Sequence, residues 1–121
     1  ETRVRIAADV ASALRYLHAA VPAPHAKPCI IPRDVKSANI LLDEHMRAKL
    51  GDLGCGHWDD EIAVSGFMHA TSFSGTPVYM APELLEKGRL SPANDVYSFG
   101  VVLFEMRTGE ELTEGALISK P

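Results

Sequence analysis

Pro22, Pro24, Pro28 and Pro32 fall within eleven residues of one another. Each lacks a backbone N–H and fixes its own φ, so no helix can cross this stretch. The chain must therefore change character there. Before it, Thr2 to Ala20 reads as an amphipathic helix, with Ile6, Val10, Ala13, Leu14 and Leu17 recurring at three- and four-residue spacing. Val21 to Pro28 is a loop. Ile30 and Ile31 begin an extended run, and Ile31 is held extended by the proline that follows it.

Beyond the prolines, two short β-like runs, Ile40 to Leu42 and Ala48 to Leu50, flank the polar turn Asp43 to Arg47 and predict a small hairpin. Asp52 to Pro77 is rich in Gly, Ser, Thr and His and lacks periodicity. A segment this long without a pattern is usually functional or mobile in a compact domain. Pro82 opens a short helix to about Lys87. Ser91 and Pro92 supply an N-cap and a first helical residue for another. That helix runs through Val96, Phe99, Val102, Leu103 and Met106 to Gly109. It is apolar on most faces, which predicts a buried central helix.

At 121 residues the chain is ample for one domain and too short for two. The net charge of −4 argues against nucleic acid or an anionic membrane as partner. No run of 18 apolar residues exists, and the most apolar stretch, Phe99 to Met106, is broken by Glu105. The chain does not begin with Met and shows no signal-peptide pattern, so its N-terminus is not expected to be a natural one. Cys29 and Cys55 suggest no disulfide framework and fit a reducing, cytoplasmic compartment, which leaves a membrane-anchored parent chain open.

Asp34, Lys36 and Asn39 place a carboxylate, an ammonium and a carboxamide within six residues, between extended segments. Phosphoryl transfer needs such a set: a group for the hydroxyl proton, a cation for the migrating phosphoryl, and a metal ligand. Thirteen residues after Asn39 comes Asp52-Leu53-Gly54. A carboxylate on a glycine-flanked turn suits Mg²⁺, which takes one or two carboxylates and completes its shell with phosphate oxygens and water. Each piece alone is also an ordinary solvated turn.

The ordered combination resembles the eukaryotic protein kinase catalytic domain. PRDVKSANILL is similar to the H-R-D-x-K-x-x-N catalytic loop, and DLG to D-F-G. SGTPVYMAPE resembles the end of the activation segment, and DVYSFGVVLFEMRTG the large central helix after it. The wording is nearest the receptor-like and interleukin-receptor-associated Ser/Thr kinases of the tyrosine-kinase-like group. The implied fold is α+β: a partial kinase domain over 1–121, a mostly helical large lobe with a small hairpin. Its catalytic loop would span 32–39, its activation segment 52–83 and its central helix about 92–108.

The resemblance implies ATP-dependent transfer to Ser or Thr hydroxyls of a protein substrate, with Mg²⁺ or Mn²⁺. Asp34 would orient and deprotonate the hydroxyl. Lys36 would contact the γ-phosphate, Asn39 and Asp52 would hold the metal, and Leu41 would lie under adenine. Thr76 would bond near Asp34 and help select the acceptor. Arg33 would pair with a phosphate on Thr71, Ser72 or Ser74, and Asp95 would accept backbone N–H groups of the catalytic loop. No nucleic acid and no membrane contact are implied for this segment.

Two departures stand out. Leu53 replaces the Phe of D-F-G, and Pro32 replaces the His of H-R-D, which removes one N–H expected for Asp95. No glycine-rich loop, V-A-I-K lysine or αC glutamate precedes the catalytic loop, so this truncated chain alone is expected to be inactive. The glutamate of A-P-E, Glu83, is expected to lack its arginine. A pseudokinase or scaffold, or an inactive fragment, therefore stands beside the enzyme reading. His18, His25, His45 and His69 read as surface or loop residues.

Overall fold

A computed structural model describes residues 1–59, 62, 65–70, 72 and 74–113. Helix α1 spans Thr2–His18 and buries Val10, Leu14 and Leu17, the stripe that its spacing predicts. The proline stretch then folds back through a bridge between Val21 and Lys27. Lys27 Nζ donates to the carbonyls of Leu17 and Pro28, 3.0 Å each, so it satisfies a carbonyl that the end of α1 leaves open.

Strands β2 (Ile40–Leu42) and β3 (Ala48–Leu50) form the expected antiparallel hairpin, with Ile40 opposite Leu50 and Leu42 opposite Ala48. Its turn is organised by Asp43, whose Oδ1 accepts the N–H groups of His45 and Arg47, both at 2.9 Å. The hairpin lies along α1, where the Asp9 carboxylate accepts from Nε and Nη2 of Arg47 and from the N–H of Ala48.

Two further antiparallel pairs were not expected from the sequence. Strand β1 (Cys29–Ile31) pairs with β4 (His57–Asp59), and β5 (Met68–His69) with β6 (Arg89–Leu90). The segment from Asp52 to Pro77 is thus tied to the rest of the chain at both ends. Helix α2 (Pro82–Lys87) ends at Gly88, which takes the left-handed conformation that glycine tolerates.

Helix α3 (Pro92–Thr108) starts on a capping box, Ser91 with Asn94. Its burial corrects the expectation of a buried central helix that is apolar on most faces. The buried residues are Asn94, Asp95, Ser98, Val101, Val102 and Glu105, whereas Val96, Tyr97, Leu103 and Phe104 are exposed. The protected face is the one that carries polar groups to the loops. Ser98 donates to the carbonyl of Tyr79 at 2.6 Å, and Glu105 accepts from the Tyr79 hydroxyl at 2.7 Å. Three apolar clusters hold these pieces together. One joins α1 to Val35, one joins α3 to Val78 and Tyr79, and one joins β1 to Ile62, Met80, Leu84 and Leu90.

Candidate active site

Val35 is completely buried against Val10 and Leu14 of α1. Side chains alternate along extended backbone, so anchoring Val35 turns its neighbours Asp34 and Lys36 to the other side. There they meet Thr76 of the long segment. Thr76 Oγ1 donates to Asp34 Oδ1 at 3.1 Å, and Lys36 Nζ donates to Thr76 Oγ1 at 2.8 Å. Lys36 Nζ also stands 3.6 Å from Asp34 Oδ2. A hydroxyl is therefore held between a carboxylate and an ammonium.

A 3-10 turn over Ser37–Asn39 brings Asn39 back beneath Asp34. Its Nδ2 donates to the Asp34 carbonyl at 2.8 Å and lies 3.4 Å from Asp34 Oδ2. That orientation turns the amide oxygen away from Asp34. The carbonyl of Asn39 accepts the N–H of Gly51 at 2.8 Å, one rung beyond the hairpin. Asp52 follows immediately, exposed and in the left-handed region at φ 53°. The hairpin thus ties the backbone of Asn39 to the residue before Asp52. Leu41 is exposed on β2, its side chain against Gly51.

The loop is supported from below by Asp95, in the first turn of α3 and 1% exposed. Its Oδ1 accepts the N–H of Arg33 at 3.1 Å. Arg33 holds φ 69°, unusual for a residue with a β-carbon, and this bond secures it. Asp95 Oδ2 lies 2.7 Å from Nε2 of His18, the last residue of α1. His18 is thus not a loose surface residue. Burial holds the Asp95 carboxyl above its ordinary value, although the bonds to His18 and Arg33 pull it back. Pro32, immediately before Arg33, is fully buried.

The Arg33 guanidinium reaches the long segment, where its Nη2 donates to the carbonyl of Ser72 at 2.7 Å. Ser72 is exposed and Ser74 half-buried; Thr71 lies outside the described residues. Glu83 is not left without a partner, since Asn94 Nδ2 donates to its Oε1 at 3.0 Å. The structure also contains a network with no signal in the sequence. Tyr79 OH lies between Glu105 Oε1 and Ser37 Oγ, the latter at 3.2 Å, which links α3 to the Ser37–Asn39 turn. Burial pushes the Tyr79 hydroxyl above its ordinary value.

The protein kinase domain family matches residues 1–119. Among curated relatives, a probable LRR receptor-like serine/threonine-protein kinase of Arabidopsis thaliana is 46% identical over 93% of this chain and 12% of its own length. Wall-associated receptor kinase-like 10 of the same plant is 46% identical over 92% of this chain and 13% of its own length. PTI1-like tyrosine-protein kinase 3, also of Arabidopsis thaliana, is 43% identical over 90% of this chain and 25% of its own length. The chain thus spans a quarter or less of the length of these relatives.

Proposed function

The chain belongs to the protein kinase domain family, and from that premise we propose that it is the catalytic centre of a kinase that phosphorylates Ser and Thr hydroxyls of proteins. The observation that carries this reading is the meeting of Asp34, Lys36 and Thr76 around a hydroxyl. A substrate hydroxyl brought to Asp34 finds an acceptor for its proton and a cation within reach. Asp34 would orient the hydroxyl and take its proton as the new bond from the hydroxyl oxygen to the γ-phosphorus forms and the bond from that phosphorus to the departing ADP oxygen breaks, and Lys36 would balance charge on the phosphoryl oxygens. Thr76 fixes Asp34 and Lys36 relative to each other.

Asn39 and Asp52 fit a Mg²⁺ site in their chemistry. The Asn39 amide oxygen is turned away from Asp34, and Asp52 offers an exposed carboxylate where the hairpin closes. One carboxylate and one amide leave positions that Mg²⁺ fills with phosphate oxygens and water. Bound with Mg²⁺, ATP supplies the phosphoryl group. Leu41 offers an apolar surface for the adenine ring. Arg33 is the cation for a phosphate on Thr71, Ser72 or Ser74. In the complete protein, this segment acts on the cytoplasmic side.

A second reading, a pseudokinase or scaffold, is favoured by Pro32, which withdraws an N–H beneath the site. Transfer of labelled phosphate by the complete kinase domain, with phosphoamino-acid analysis of the product, separates the two. Label on Ser or Thr that Asp34→Asn lowers by about 10²–10⁴-fold supports the enzyme. Label confined to Tyr overturns the substrate class, and no transfer favours the scaffold.

A further inference from the structure

Glu105, in the last turn of α3, is buried at 7% exposure. Its Oε1 is taken by the Tyr79 hydroxyl and the N–H of Leu112, whereas Oε2 has no hydrogen-bond partner among the described residues. A buried carboxylate oxygen without a donor is costly, so a ligand that brings one gains by it.

Glu105 forms part of the wall of a cavity of about 480 Å³ between the end of α3 and the Ser37–Asn39 turn. A water takes about 30 Å³ of liquid volume, so there is room for a long side chain. Ser37, Ala38 and Met106 line the cavity with two more carboxylates, Glu110 and Glu111, both exposed. No Lys or Arg lines it.

These charges do not help the helix beside them. The end of α3 carries partial negative charge on its open carbonyls, which repels Glu110 and Glu111 just beyond it. Two exposed glutamates alone would be an ordinary solvated pair. The buried Oε2 of Glu105 is what makes the cavity a site for a cation.

Ser37 is three residues from Asp34, a reach of at most about 11 Å. A peptide that offers its hydroxyl to Asp34 therefore brings side chains a few positions away within reach of the cavity. An ammonium is a compact point charge. A guanidinium presents five N–H groups in a planar fork, which suits several carboxylates at once.

We propose that this cavity takes an arginine of the protein substrate, a few residues from the phosphorylated Ser or Thr, with Glu105, Glu110 and Glu111 as its acceptors. The proposal rests on the kinase reading above and narrows its substrates to basic ones.

The test uses the complete kinase domain and peptides with a single Ser acceptor. Arg or Gln is placed in turn at each of the few positions on either side of that Ser. The quantity read is the ratio of kcat/KM for the Arg peptide to that for the Gln peptide, in which any general loss of activity cancels. At one of these positions the ratio should reach about tenfold or more, as befits charge-assisted bonds. Lys there should give a smaller ratio. Glu110→Gln with Glu111→Gln should lower the ratio about twofold to fivefold, since both side chains are exposed. Glu105→Gln should lower it further. Glu110→Lys with Glu111→Lys should bring it below one and favour a Glu peptide instead.

Absence of an Arg preference at every position overturns the proposal, and so does a preference that these variants leave unchanged. If Glu105→Gln does not fold, the paired changes at Glu110 and Glu111 decide. If the unaltered domain phosphorylates no peptide, the kinase reading fails by itself, and calorimetric titration with the Arg and Gln peptides decides on the cavity. Tighter binding of the Arg peptide that Glu110→Gln with Glu111→Gln weakens supports it, and equal binding of the two peptides overturns it.

Discussion

Gly75 is pressed against Arg33 so closely that a β-carbon on it would lie 2.9 Å from the Arg33 carbonyl oxygen. Its φ of +122° is one that L side chains rarely adopt. The long segment can therefore pass Arg33 here only as glycine, one residue before Thr76 reaches Asp34 and Lys36. Gly75→Ala should destabilise the complete domain by about 1–3 kcal/mol. By misplacing Thr76 it should also slow phosphotransfer roughly tenfold to a hundredfold. Calorimetry and a rate assay check both. A variant with native Tm and rate would mean that the segment does not lie against the loop in solution.

Much of this arrangement is legible in the sequence, for physical reasons. The periodicity of α1, the Ser91-Pro92 start of α3 and the Asp43 turn are local signals that survive folding unchanged. The order of Asp34, Lys36, Asn39 and Asp52 carries the resemblance. The pairings of β1 with β4 and of β5 with β6 are not legible, because their partners lie far apart in the chain with no short turn between them to mark the pairing, as Asp43 to Arg47 marks β2 with β3. The buried face of α3 is not legible either, because apolar content does not say which side is covered. Ser98 and Glu105 are covered because Tyr79 uses them. His18 with Asp95, and Glu83 with Asn94, depend on contacts between separate elements that spacing does not encode.

The Asp9 carboxyl is held down to about 2, from 3.8, chiefly by the side-chain bond from Arg47 and then by the Ala48 N–H. A carboxylate with a lowered folded value adds stability above its unfolded value and loses it as pH falls through the folded one. The contribution of Asp9 should therefore be complete above about pH 5 and be lost as pH falls through about 2. In urea titrations of the complete domain, Asp9→Asn should be less stable than the parent at neutral pH. The gap should close as the solution is acidified. A gap that persists at the acid end would sink the assignment.

Glu105 is buried, and its Oε2 has no hydrogen-bond partner among the described residues, so Oε1 bears the interactions. Oε1 accepts from Tyr79 OH at 2.7 Å and from the Leu112 N–H at 3.0 Å. Tyr79→Phe removes one of these from a buried carboxylate and should cost about 1.5–3 kcal/mol of stability. With Glu105→Gln already in place, the same change should cost less, since a neutral amide needs its donors less. Denaturant unfolding of the four proteins provides the comparison, and identical costs would show that the pair is not coupled.

Val96 is 60% exposed and Phe104 43%, on the face of α3 that also carries Tyr97 and Leu103. Exposed apolar stripes of this kind favour association. The 121-residue chain on its own is therefore expected to self-associate or melt without a sharp transition. Val96→Lys with Leu103→Glu should reduce association without disturbing the buried face. Light scattering decides. A monodisperse parent chain with a sharp melt would count against this account.

Thr76 offers the sharpest test of the proposed chemistry, because its hydroxyl and its methyl group can be separated. The hydroxyl donates to Asp34 and accepts from Lys36. Thr76→Ser keeps both bonds, whereas Thr76→Val keeps the shape and loses both. If the hydroxyl sets the spacing of acid–base group and cation, Ser should act close to the parent. Val should lose kcat with little change in KM for ATP. The loss should be smaller than that of Asp34→Asn, which removes the proton acceptor itself and should cost about 10²–10⁴-fold. The two changes should also be far from additive, since with Asp34 altered there is no carboxylate for Thr76 to orient. Rates for the three single variants and the Asp34→Asn, Thr76→Val pair in the complete domain give the answer. Equal activity of the Ser and Val variants would mean that Thr76 is packing alone, and the proposed site would then rest on Asp34 and Lys36 without it.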